Sequence, residues 1–216
     1  MTEIVTVGSS SMFRNGLAVV AGILLNKLAG SISGSVLAGI GVCTKIMMFP
    51  FSIILGFGNG FQPVAGFNWG AKRYDRVEES NRFSTRVAFR GGLVMGVVCI
   101  ILADWLIVLF AGTDEEMRRI GGFAIIPQSI ALPIHAWVAI VNMYCVGLGN
   151  ARGAFALATA RQGSCFLPIL YPLAWIFGAW GVGCVQAVAD VLTMFLAVPI
   201  LRTINKKLHA AMEAAE

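Results

Sequence analysis

The chain has 216 residues, of which 57% are hydrophobic and only 12% charged, with a formal net charge of +5. A soluble domain averages about a quarter charged residues and less than half apolar ones. So few polar groups cannot cover the surface of a chain this size, which excludes intrinsic disorder and argues against a water-soluble fold. A spanning helix takes roughly 20 residues plus a connector, so at most about seven spans fit.

The first apolar helix is expected over residues 7–28, interrupted on one side by Arg14, Asn15 and Asn26. It reads as a span and not a secretory signal, because Glu3 and a Ser-rich stretch precede it and further spans follow. The small-residue turn 30–34 ends it. A second span covers 35–57, with Lys45 in its middle and Pro50 as a kink, and frays into a Gly-rich segment ending at Gln62-Pro63. Residues 68–90 are the most polar part of the chain and are expected at the membrane surface, partly as an amphipathic helix. The third span, 91–110, carries Asp104 and Trp105 near its far end, followed by an acidic turn. The fourth, 121–146, is bent by Pro127 and Pro133 and carries His135. The fifth, 154–177, contains Arg161 and Gln162, and the sixth, 179–201, contains Gln186 and Asp190. The remaining residues form a short charged tail in water.

The basic residues vote on topology, because Lys and Arg bias a loop toward the cytoplasm. Eleven of the 16 lie in loops of one parity, whereas the other parity holds only Lys27, Arg118 and Arg119. Arg14 and Lys45 are inside helices and do not vote. Six spans with both termini cytoplasmic fit, and an odd number would split the basic loops between the two faces. The same placement, between apolar runs and not among aromatics on a polar domain, points to the lipid bilayer as partner and not to nucleic acid. The five cysteines show no metal or CxxC spacing and read as small packing residues.

An ionised group at mid-bilayer costs about 2.5–3.5 kcal/mol, so it faces a cavity or a partner. Arg14, Lys45 and Asp190 are in that position. Asp190, about 17 Å from either end of its helix at 1.5 Å per residue, is the deepest acid. It reads either as a proton or cation site, or as a counter-charge for a cationic substrate, or as a buried pair with Lys45 or Arg14 that holds the bundle. Asn15, Gln62, Asn142, Tyr144, Gln162 and Gln186 line a pathway or make interhelical hydrogen bonds. His135 is either a protonation switch or the partner of a carbonyl freed by the nearby prolines. Soluble-enzyme motifs are lacking: there is no HExxH, GxSxG or Walker loop, and the glycines at 56, 58 and 60 follow a helix and not a strand. An enzymatic activity is not expected.

The segment Gly58-Asn-Gly-Phe-Gln62-Pro63-Val-Ala-Gly66-Phe-Asn68-Trp-Gly70-Ala71-Lys72-Arg73-Tyr-Asp75-Arg76-Val resembles the MATE (multidrug and toxic compound extrusion) transporters, in their MepA/DinF-like branch. Phe13-Arg14-Asn15-Gly16, Arg161-Gln162-Gly163 and Gln186-Ala-Val-Ala-Asp190 match in family order. The resemblance implies an all-α membrane protein whose six transmembrane helices form one lobe, the C-terminal one, of a MATE-type transporter. Full-length members have two such lobes around a central cleft. The implied function is the C-terminal half of a cation-coupled multidrug antiporter of the bacterial inner membrane, working by alternating access. Its implied substrates are small amphipathic cationic drugs, its coupling ion a proton or sodium, and it needs no cofactor. The pathway candidates are then Asp190, Asn15, Arg14, Lys45, Gln62, Asn68, Arg161, Gln162 and His135. In NorM-like relatives the first helix of this lobe carries a coupling glutamate, where this chain has Asn15, an amide that cannot exchange a proton. The alternatives are a half-size transporter pairing with a second copy or a separate N-terminal lobe, a non-transporting fragment or structural subunit, and a relative of the lipid-linked sugar flippases.

Overall fold

In a computed structural model, the backbone is described for residues 2–111 and 114–213, and the side chains for residues 16–111 and 114–213. Among these residues there are six helical rods and no strand. Helices α1 (Thr2–Ile32), α2 (Gly34–Gly70), α3 (Tyr74–Ala111) and α4 (Glu115–Gly147) are the first four. The fifth rod begins as α5 (Ala151–Thr159), passes through a π-helical turn (Ala160–Ser164) and continues into α6 (Phe166–Glu213). At Gly178 the backbone leaves helical geometry (φ 57°, ψ −134°), and the rest of α6 forms the sixth rod. α2, α3, α4 and the stretch from Ala151 onward are each long and apolar enough to cross a membrane, and Gly16–Ile32 is a shorter apolar helix.

α4 is the central rod. Its apolar window is 67% buried, against 22–33% for the other three candidate spans, so it alone is hidden on nearly all sides. Such burial inside a bundle that must also face lipid requires neighbours whose backbones approach closely, and small residues permit that. A Cβ on Gly39 would stand 3.1 Å from the backbone nitrogen of Gly121, and one on Gly66 would stand 2.9 Å from the Gly147 carbonyl, so α2 touches α4 backbone to backbone near both ends. Gly92 and Gly96 likewise bring α3 against Pro133 and Ser129 of α4. The principal core joins α2, α3 and α4 with the end of α6. A smaller one, Ala21, Ala160, Cys165, Phe166, Leu170, Val185 and Ala189, joins α1, the π turn and α6.

Three expected boundaries move. α2 does not fray at the glycines but stays helical through Pro50 and Pro63 to Gly70, because one side of the Gly-rich segment packs on α4, with Gly58 against Met143 and Ile140. The basic segment 74–90 is not a separate surface helix. It is the first half of α3, which has no breaker between Tyr74 and Gly91 and runs for about 57 Å, nearly twice the hydrocarbon thickness of about 30 Å. The tail likewise continues α6 to Glu213 and docks on the bundle through Ile204 and Leu208, 3% and 0% exposed. There His209 Nε2 stands 4.0 Å from Glu78 Oε1 of α3. The five cysteines are free, and all except the half-buried Cys184 are buried, as packing residues are.

The turn before α4 is clasped to the start of α2. The Asp114 carboxylate caps α4 by accepting from the Met117 N–H (2.9 Å) and also accepts from the Ser35 hydroxyl (2.7 Å), while the Ser33 hydroxyl donates to Glu116 (3.0 Å). The donors at Met117 and Ser35 hold the Asp114 carboxyl below the usual carboxylate range. A carboxyl lowered in the folded state stabilises above its unfolded pKa of about 3.9, and that contribution is lost as pH falls through the folded value. Asp114→Ala is therefore expected to lower the thermal midpoint in detergent at neutral pH, with the gap to the parent chain closing below about pH 4. A gap independent of pH would show that the carboxylate charge does not hold the clasp.

Candidate functional site

The functional candidates converge at the seam between the two cores. Asp190 of α6 is 3% exposed, and its Oδ1 accepts a hydrogen bond from Nε of Arg161 at 2.6 Å. Among the described residues the partner of the deepest acid is thus Arg161 and not Lys45, since Arg161 approaches from the adjacent rod, while the side chain of Arg14 lies outside them. His135 of α4 stands on the other side, with Nδ1 3.6 Å from the same oxygen, longer than a hydrogen bond. Neither ring nitrogen of His135 has a hydrogen-bond partner among the described residues. The expected role of His135 in satisfying a freed carbonyl is not what the structure has.

Two features aim Arg161. It lies in the π turn, closed by the Cys165 N–H donating to the Ala160 carbonyl five residues back at 2.8 Å. Such a widened turn inserts a residue into the helix and commonly marks a functional position. Its guanidinium carbon also stands 5.3 Å from the centre of the Phe51 ring, and that ring lies 4.5 Å from the His135 imidazole. Phe51 of α2 therefore supports both side chains from below, with the guanidinium within cation–π range.

Arg161 is not fully buried, its side chain being 23% exposed. It borders a cavity of about 220 Å³ walled by α1, α2, α4 and the fifth rod, whose lining includes Ala18, Leu55, His135, Asn142, Arg161 and Gln162. Asp190 sits behind Arg161 and does not line the cavity. Asn142 turns its amide N–H to the Ala154 carbonyl at 3.0 Å, which ties α4 to α5. An apolar pocket with a few convergent polar groups of this kind suits one end of an amphipathic small molecule.

The other sequence candidates lie elsewhere. Lys45 is exposed on α2, Gln62 is half-buried farther along it, and Asn68 spends its amide on the Val64 carbonyl (2.9 Å) one turn back. Asp104 is exposed at the far end, beside an open cleft of about 730 Å³ lined also by Glu115, Glu116, Arg118 and Arg119. Arg14 and Asn15 occupy α1 about one turn before Ala18, and their side chains lie outside the described residues. Sequence reading missed Phe51 and the π turn. Phe51 is one of 14 phenylalanines with nothing local to distinguish it, whereas Arg161 inside an apolar run was a visible signal.

The profile of the MatE family matches residues 11–176. The multidrug export protein MepA of Staphylococcus haemolyticus (strain JCSC1435) is 24% identical over 208 residues, which are 96% of this chain and 45% of that protein. Among solved structures, the MATE transporter ClbM in complex with Rb+ superposes with a TM-score of 0.88 at 22% identity, over 99% of this chain and 50% of that one. The Vibrio cholerae MATE transporter VcmN in its bent form does so with a TM-score of 0.87 at 17% identity, over 95% and 47%. The chain spans about half the length of the relatives it matches.

Proposed function

The chain belongs to the MatE family of multidrug efflux transporters and is an integral membrane protein, and from that premise we propose that it is the C-terminal half of an ion-coupled antiporter working by alternating access. The coverage carries this reading: nearly all of this chain corresponds to a little under half of a full-length exporter. The exposed face of α2 supports it independently. Lys45, Ser52 and Asn59, spaced two turns apart on one side, are all exposed. A lysine midway along an apolar helix facing lipid would cost about 2.5–3.5 kcal/mol, so this stripe belongs against a water-filled cleft shared with a second lobe.

In that arrangement the two lobes rock about the shared cleft, with both termini of this lobe in the cytoplasm of a bacterial inner membrane. The coupling ion is a proton or sodium, and a coupling proton would bind in the other lobe, because Asn15 cannot exchange a proton and Asp190 is already held by Arg161. A cationic drug would likewise find its counter-charge there, since the described walls of this lobe's cavity offer no uncommitted carboxylate.

Reconstitution tests the proposal. Proteoliposomes holding this chain together with the amino-terminal half of the S. haemolyticus MepA should accumulate a fluorescent drug against its gradient when a proton or sodium gradient is imposed, and the chain alone should not. Accumulation by the chain alone would replace the split-lobe reading with a pair of copies, parallel because each copy has both termini in the cytoplasm. A co-purified, assembled pair that moves no drug would sink the transport reading.

A further inference from the structure

The charges at the seam are unequally placed with respect to the cavity. Asp190 and Arg161 neutralise one another, but the acid is behind the wall and the guanidinium is on it. Among the described lining residues there is no acidic side chain. Arg161 spends Nε on Asp190, and no described residue accepts from its two terminal nitrogens. A guanidinium held on one edge by a carboxylate and on one face by Phe51 has lost most of its conformational freedom. Its remaining N–H groups therefore form a fork already oriented for a second anion, and planar forks bind carboxylates and phosphates in two-point fashion. The apolar part of the lining, including Leu55, Val138, Met143 and Leu157, suits an apolar body.

We propose that this lobe contributes an anion subsite, in which the acid group of an amphipathic carboxylate or zwitterion docks on the free edge of Arg161 while its apolar body fills the pocket. The proposal rests on the reading of the lobe as half of a transporter and adds to it a substrate class that Asp190, taken by itself, would not suggest.

The test uses the full chain in nanodiscs of zwitterionic lipid, with a dansyl-labelled long-chain carboxylic acid, its methyl ester and a matched quaternary ammonium probe. Empty nanodiscs correct for partitioning. The acid should bind at least about tenfold more tightly than the ester, as expected of a charge-assisted two-point contact against a neutral one. Asp190→Asn weakens the hold on Nε and removes a nearby negative charge, so acid binding should tighten several-fold with the ester unchanged. The double variant Arg161→Gln/Asp190→Asn keeps a neutral pair in place of a charged one and should bind acid and ester alike. If that variant does not fold, Arg161→Lys, which keeps the charge but not the fork, should lose most of the discrimination.

Equal binding of acid and ester by the parent chain overturns the anion subsite. A preference for the ammonium probe also overturns it while leaving the transporter reading intact, and the reconstituted pair of lobes tests that reading separately. In nanodiscs containing phosphatidylglycerol, displacement of the acid probe would identify a lipid headgroup as the anion. Retention would identify a soluble amphiphile, and both results support a subsite selective for anions.

Discussion

Arg161→Ala is expected to cost the lobe about 3–5 kcal/mol of stability, because it leaves the Asp190 carboxylate buried and without its partner. His135, 3.6 Å away and buried, does not replace the lost hydrogen bond at Oδ1. The loss belongs to the broken pair and not to the arginine alone. Removing both charges, as in Arg161→Ala/Asp190→Asn, should therefore recover most of it, since replacing a buried pair is commonly near neutral. The measurement is the thermal midpoint and the monodisperse yield in detergent for the parent, the single variant and the double variant. A single variant as stable as the parent would mean that solvent reaches Asp190 and that the seam is not a closed structural element.

The hairpin between the fifth and sixth rods should be nearly as sensitive. Gly178 turns the chain at φ 57°, ψ −134°, a conformation that side chains rarely adopt, so Gly178→Ala is expected to cost about 1–3 kcal/mol in backbone strain. Three residues on, a Cβ at Gly181 would overlap the Leu173 carbonyl oxygen, a backbone atom that cannot rotate away. Gly181→Ala must therefore part the two rods, and its cost should exceed the usual overpacking range of about 1–3 kcal/mol. Because Asp190 lies on the rod so displaced and Arg161 on its neighbour, that variant should also weaken any binding that depends on Arg161. Gly34→Ala, at a position with open space around it, is the control and should leave the midpoint unchanged.

These two regions differ in how far they could be read beforehand. The helical class and the even number of spans follow from composition and charge, because the cost of polar groups in lipid acts on residues one at a time and needs no knowledge of packing, whereas the half-transporter reading comes from the resemblance. The break at Gly178 falls on the one residue between the expected fifth and sixth spans, as local backbone preference places it. The continuity of α2 through its glycines and prolines was not legible, since propensity marks that stretch as weak and only contact with α4 keeps it helical. The continuity of α3 was hidden for a different reason. Its polarity changes halfway while its helical period does not, and hydropathy alone reads such a change as a boundary.

For the site, the sequence by itself identified the expensive residues. Asp190, Arg161 and His135 each had to be explained because each carries a polar group inside an apolar run. Which of them pair, and which of them meets the cavity, was decided only by the tertiary structure. Asp190 and Arg161 are 29 positions apart and Phe51 lies on a third helix, and rotation of each rod about its axis is set by small residues at its contacts. The sequence therefore determined that Asp190 must meet a cavity or a partner within this lobe. The packing of α2, α4 and the last two rods determined that the acid is buried and the arginine meets the cavity, because contacts between residues far apart in the chain set which side of each rod is covered.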